Sequence, residues 1–235
     1  MKVVAINGSP RMDRGYTEML LQPFLQGMRE GGAKTEHFFA KGLKIKPCTG
    51  EFYCWEDKPG ECYQQDEMQM LYPKLRQANI LVLAVPVYIP LPGEMQNLIN
   101  RICPLLDPVL EMRDGRTRAR PRMDVQIEKV VLVSTGGWWE RGNFETLITI
   151  VRELAETMGI EYSGALLRPH ASFMKAKEKI TQEGREILEA ARKAGRALAQ
   201  EGQLPAQLLE SVSRPLVSSE VFMKMWNRSY GAENK

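Results

Sequence analysis

The 235-residue chain is 43% hydrophobic with a formal net charge of +3, enough apolar material for one sizeable core and too little charge to mark a nucleic-acid binder. No apolar run approaches membrane-spanning length, and four cysteines are too few for a disulfide scaffold of this size. A reducing, cytoplasmic setting is expected, with no membrane or nucleic-acid partner.

"KVVAIN" (2–7) is a β-branched apolar run that stops at Gly8, and apolar residues return at helical spacing from Thr17 to Arg29. "AKTEHFFA" (33–40) reads as a second strand and 66–76 as a helix. "ILVLAVPV" (80–87) is apolar throughout, as in a strand covered on both faces. "GEMQNLINRICPLL" (93–106) is expected to be one helix, "KVVLVST" (129–135) a buried strand, "FETLITIVRELAETMG" (144–159) a helix closed by Gly159, and "IEYSGALLRP" (160–169) the last strand. A long helix is expected over 177–202. Strands alternating with helices call for an open α/β sheet of five parallel strands with helices on both faces. Residues 1–202 then form the domain, and 203–235, with Pro205, Pro215 and a short helix near 219–228, a C-terminal extension suited to a subunit interface. "RDGRTRARPR" (113–122) holds five arginines; it reads as a solvated loop, with an acidic partner or nucleotide phosphates as the alternatives.

Ligands of such sheets sit over the carboxyl ends of the strands, which singles out three loops. "NGSPRMDRGYT" (7–17) joins a strand to a helix start; Gly8 permits a tight turn, Ser9 and Thr17 offer hydroxyls, and Arg11 and Arg14 offer charge. It is a phosphate cradle or a capped polar connection, and matches neither the Walker loop nor the G-x-G-x-x-G turn. "PVYIPLPG" (86–93) is a stiff loop, either a structural turn or a wall against a flat ring. "STGGWWERGNF" (134–144) lets a ligand approach at Thr135, Gly136 and Gly137; Trp138 and Trp139 suit a ligand contact equally with a cover over the core edge or an interface. His37 and His170 are candidate proton donors, His170 better placed because "RPH" ends the last strand.

"KPCTGEFYCWEDKPGEC" (46–62) gathers Cys48, Cys54 and Cys62. With a cysteine in place of Glu51 the spacing would be C-x2-C-x2-C-x7-C, a run that can wrap an iron-sulfur cluster. A carboxylate suits that chemistry poorly. Cys103, the only other thiol, is expected as a small core residue in a helix that starts at the 86–93 loop and runs away from it. The loop is therefore expected to hold no metal, in preference to a four-iron cluster or a three-iron or labile form.

"INGSPR" with its following threonine, "PVYIPLPGEMQNLINR" and "VLVSTGGW" resemble the flavodoxin-like NAD(P)H-dependent FMN reductases, and the cysteine loop resembles that of the iron-sulfur flavoproteins among them. The resemblance implies a sheet of order 2-1-3-4-5, bound FMN, NAD(P)H as cosubstrate, and homodimers or homotetramers. It implies that Ser9, Arg11, Arg14, Tyr16 and Thr17 meet the FMN phosphate, that Pro86, Val87, Tyr88 and Ile89 line the isoalloxazine, and that Thr135, Gly136, Gly137 and Trp138 meet its other edge. The expected activity is hydride transfer from NAD(P)H through FMN to a quinone, a flavin or another small acceptor. The alternative is an electron-transfer protein carrying FMN and a [4Fe-4S] cluster and serving a redox partner; a third reading is a binding module without redox work.

Overall fold

A computed structural model describes residues 1–231; residues 232–235 of the expected extension lie outside the described residues. In chain order the elements are β1 (Lys2–Asn7), α1 (Tyr16–Glu30), β2 (Lys34–Phe39), α2 (Met68–Gln77), β3 (Ile80–Pro86), α3 (Gly93–Asn100), β4 (Leu106–Arg113), β5 (Arg116–Pro121), β6 (Lys129–Thr135), α4 (Glu145–Met158), β7 (Glu161–Arg168), β8 (Lys175–Ala176), β9 (Lys179–Ile180), α5 (Gln182–Glu201), α6 (Ala206–Ser213) and α7 (Ser219–Ser229). The main sheet is parallel, in the order β2-β1-β3-β6-β7. Counting only its own strands, that is the flavodoxin-like order 2-1-3-4-5. Chain direction across the sheet reverses between β1 and β3, and this puts a crevice at their carboxyl ends.

Successive strand residues face opposite sides, so two cores form. Val4, Ile6, Leu81, Leu83 and Leu132 pack with α2, α3 and α4 on one face. Val3, Ala5, Val82, Val131 and Val133 pack with α1 and α5 on the other. Helices α1 and α5 touch backbone to backbone: a Cβ on Gly27 would lie 1.7 Å from the Arg192 carbonyl oxygen, and one on Gly195 would lie 2.0 Å from that of Phe24. Only glycine permits that approach.

Three segments differ from the sequence reading. Residues 113–122 are not a loop: Asp114 and Gly115 both have positive φ, 47° and 76°, and close a β4–β5 hairpin of the kind an Asp-Gly pair favours. Its arginines are paired within the chain: Arg116 and Arg118 reach Glu153 and Glu156 of α4, and Arg120 and Arg122 reach Asp107. The helix expected over 93–106 ends at Asn100, and Cys103–Leu105 forms a separate 3-10 turn with Pro104 inside it. The helix expected over 177–202 begins only at Gln182, because Thr181 caps it by accepting from the Gly184 N–H at 3.0 Å; the residues before it form the β8–β9 hairpin.

The C-terminal extension folds back on its own domain. Val212 is fully buried in the α1–α5 core, with Leu204, Leu208, Leu209 and Leu216 packed against it. No described helix is long and apolar enough to cross a membrane.

Candidate functional site

The loop after β1 is built by its own side chains. Asn7, fully buried, accepts from the Ser9 N–H at 2.7 Å and donates to Glu18 Oε2 at 2.7 Å, which ties the strand end to α1. Ser9 Oγ then accepts from the Arg11 N–H at 3.3 Å, and a short 3-10 turn brings the chain to Gly15. A Cβ at Gly15 would lie 2.6 Å from Ser9 Oγ, so any side chain there displaces the Ser9 hydroxyl. Gly15 is also the N-cap of α1, and no side chain caps that helix. Among the described residues, the N–H groups of Tyr16, Thr17 and Glu18 have no protein acceptor. Those free donors at the positive end of a helix make an anion cradle.

Two further loops close on this cradle. Thr17 Oγ1 and Thr135 Oγ1 share a hydrogen bond of 2.8 Å, joining the first loop to the one after β6. The Val87 N–H donates to the Thr135 carbonyl at 2.9 Å, and the Gly136 N–H to the Arg168 carbonyl at 3.0 Å, so the loops after β3, β6 and β7 are laced together. The result is a crevice of about 260 Å³ lined by Ser9, Arg11, Tyr16 and Thr17, by Pro86, Val87 and Tyr88, and by Thr135, Gly136 and Gly137. Nothing lies within 4 Å of a Cβ built on Gly137; that side of the crevice is open to a ligand.

Four residues of the expected set lie outside the crevice lining. Arg14 is exposed in the 3-10 turn and does not line the crevice. Ile89 is 100% exposed. Trp138 stands at the crevice's outer edge, its ring 5.3 Å from that of Trp226. His170 is 0% exposed; its Nε2 accepts from the Leu216 N–H at 3.1 Å and faces the Arg168 guanidinium at 3.0 Å, which leaves the ring proton on Nδ1. Burial, reinforced by the Arg168 charge, pushes its pKa down to about 4. The ring is thus held neutral and buried, and its Nε2 is engaged with the Leu216 N–H. His37 pairs with Glu18 at 3.3 Å and lies outside the crevice lining; burial, set against the pull of Glu18, holds its pKa below the usual value.

Gly15, Ala171, Ser172 and Trp226 also line the crevice. Ala171 and Ser172 follow β7, and the rule that singled out the other carboxyl-end loops points equally to this one. Trp226 comes from α7, where Phe222, Trp226 and Tyr230 recur every four residues. That aromatic stripe is the only signal in the sequence.

The cysteine loop is held from outside. Gln69 donates to the carbonyls of Cys62 and Gln64 at 3.0 and 2.8 Å. Arg101 and Asp66, with side chains 1% and 3% exposed, pair at 2.8 Å, and Arg101 also bonds the Lys46 carbonyl at 2.9 Å. Burial alone would raise the Asp66 carboxyl; the hydrogen bonds from Arg101, Lys46 and Met68 outweigh it and hold the group below the usual carboxylate range. Cys48 is exposed, whereas Cys54 and Cys62 are buried. Cys103 lies in the 3-10 turn with Pro104 rather than in the expected helix, and its thiol interacts with that of Cys54, which lowers the Cys54 pKa and raises that of Cys103. Glu51 is exposed and accepts from the Thr49 hydroxyl.

A family model described as NADPH-dependent FMN reductase matches residues 1–145. This chain belongs to that family. Among curated relatives of the family member, an iron-sulfur flavoprotein of Archaeoglobus fulgidus is 42% identical over 86 residues, covering 37% of this chain and 42% of the relative. One of Methanocaldococcus jannaschii is 32% identical over 106 residues, covering 45% and 53%. The chain thus matches about half the length of these relatives. Among solved structures, an NAD(P)H:quinone oxidoreductase from Methanothermobacter marburgensis superposes with a TM-score of 0.57 at 16% identity, covering 84% of this chain and 98% of that one. An FMN-dependent NADH-azoreductase from Bacillus anthracis, in complex with FMN, gives 0.55 at 13% identity, covering 85% and 98%. At such identities the likeness concerns the fold.

The crevice fits the family's cofactor: an anion cradle with free N–H groups beside an open, glycine-lined slot suits a phosphate joined to a flat ring. The cysteine loop supplies three thiols, Cys103 places a fourth beside Cys54, and the Glu51 carboxylate faces solvent; among the described residues no three His, Cys, Asp or Glu side chains stand together as a metal site.

Proposed function

We propose that this chain is an FMN-dependent oxidoreductase that transfers reducing equivalents from NAD(P)H to a quinone, a flavin or another small acceptor, as a homodimer or homotetramer in the cytoplasm. One observation carries the reading: the uncapped start of α1 and the open edge at Gly137 face the same crevice. Ser9, Thr17 and the N–H groups of Tyr16 and Thr17 would hold the phosphate, with Arg11 adding charge at the mouth. Pro86, Val87 and Tyr88 would lie along one edge of the ring system, and Thr135 to Gly137 along the other. When bound there, FMN would supply two-electron redox chemistry between nicotinamide and acceptor, with the overall balance NAD(P)H + H⁺ + quinone to NAD(P)⁺ + quinol.

The protein's own contribution is placement. The Thr17–Thr135 bond fixes the phosphate end relative to the ring end, and the hydrogen bonds lacing the three loops hold a flat slot in which two rings can stack. The crevice lining includes the Tyr16 and Tyr88 phenols, and hydride transfer between stacked rings requires no proton from them.

The experiment is an FMN titration followed by anaerobic NAD(P)H addition. The expected result is about one flavin per chain and loss of the yellow absorbance; a chain that leaves FMN free in equilibrium dialysis overturns the proposal. A second reading, an electron-transfer protein with FMN and an iron-sulfur centre, is favoured by the names of the curated relatives and by the Cys54–Cys103 contact. Iron and sulfide analysis separates the two, with about four irons per chain required by the second.

A further inference from the structure

The tail beyond residue 202 has no part in the phosphate cradle, yet it is bound to the loops of the crevice more firmly than an accessory segment requires. Arg168, fully buried at the end of β7, donates through one nitrogen to the carbonyls of both Val212 and Arg214, each at 2.8 Å. The Leu216 N–H donates to His170 Nε2 at 3.1 Å, and Trp139 Nε1 donates to the Val217 carbonyl at 2.9 Å. Three residues at the strand ends thus pin the stretch 212–217, and Ser218 then starts α7 by accepting from the Val221 N–H. Phe222 anchors the first turn against His170 and Phe173, with ring centroids 6.1 and 5.6 Å apart.

One turn later, at the same helical face, stands Trp226. It is half-buried and lines the crevice, and its ring meets those of Trp138 at 5.3 Å, Phe222 at 5.8 Å and Tyr230 at 5.2 Å. Trp138 comes from the loop after β6, so two elements far apart in sequence bring indoles to one edge of the same slot. If these rings only closed the core, they would be sealed; Trp138 is 53% exposed instead. Exposed aromatic surface held rigidly beside a ligand crevice is a platform for a flat partner.

We infer that Trp226, with Trp138, forms the aromatic wall on which the second substrate lies, and that it selects flat conjugated acceptors such as quinones over compact acceptors without a ring. The inference rests on the flavin reading above. The tail is then part of the acceptor site, positioned by Arg168 and His170.

The test compares two acceptors on the FMN-loaded enzyme with NAD(P)H as donor: menadione, a flat naphthoquinone, and ferricyanide, a compact inorganic ion. For Trp226→Ala and Trp226→Leu, the ratio of kcat/KM for menadione to that for ferricyanide falls about tenfold, mainly through the menadione KM. Trp226→Phe keeps most of the ratio. Leucine preserves apolar packing without a flat face, so a loss shared by Ala and Leu and rescued by Phe reports stacking rather than folding. A ratio unmoved in both Ala and Leu at full FMN occupancy overturns the inference and leaves the flavin reading standing, as does a Phe variant that falls as far as Ala. A wild-type chain that takes up no FMN overturns both.

Discussion

The loops 7–17 and 46–63 make an instructive pair, because each follows a strand at the same end of one sheet and each carries residue types suited to a cofactor. The first is shaped from within, by Asn7, Ser9 and Gly15, and it leaves three helix N–H groups free toward the crevice. The second has internal turns, such as Gly60 N–H to the Cys54 carbonyl at 2.9 Å, and is held in place from without. Its carbonyls accept from Gln64, Gln69, Arg76 and Arg101, and its thiols face different surroundings. What a loop can bind follows from the groups its own folding leaves unpaired, more than from the residue types it contains.

The largest expected effect tests the outside anchor. Asp66→Ala strands the buried Arg101 charge and should cost about 3–5 kcal/mol in denaturant unfolding, with protease cuts appearing first within 46–63. Cuts elsewhere would mean that the cysteine loop does not depend on that pair.

Next comes acid. The folded pKa of His170 is about 4, below its ordinary value of 6.5, so between those pH values the unfolded state binds the extra proton. Stability therefore falls as pH drops from 6.5 toward 4, by up to about 3 kcal/mol. Because His170 holds Leu216, the loss should show as early hydrogen exchange in 212–222. Uniform exchange across the chain would separate the tail from this histidine.

Gly15→Val tests the inside anchor: a Cβ 2.6 Å from Ser9 Oγ should weaken FMN binding about a hundredfold, roughly 2.7 kcal/mol, in a fluorescence titration. Thr135→Val removes the hydroxyl shared with Thr17 and should cost about 1 kcal/mol of stability and several-fold in FMN affinity. The smallest effect is expected for Cys48→Ser in the second loop. The thiol is exposed, and FMN affinity and stability should change by less than about 0.5 kcal/mol; a larger loss would give the cysteine loop a share in the crevice.

Much of this was readable along the chain. The runs at 2–7, 80–87 and 129–135 are apolar on both faces, and a strand of that kind has only the middle of a covered parallel sheet to occupy. The site loops then follow from topology, which is why Ser9, Arg11, Tyr16, Thr17, Pro86, Val87, Tyr88 and Thr135–Gly137 all reach one crevice. The arginine run misled because charge density suggested a loop, although Asp114-Gly115 is itself a hairpin signal and the acidic partners on α4 lie about forty residues away.

The sequence by itself determined the five strands of the sheet and the loops at its carboxyl edge, because burial periodicity and turn chemistry act locally; the strand order came only with the family resemblance. Tertiary structure alone decided that Cys103 meets Cys54, that His170 is sealed and neutral, and that Trp226 reaches the crevice. Those outcomes depend on which distant elements pack together, and the desolvation and stacking that define them do not exist until they do.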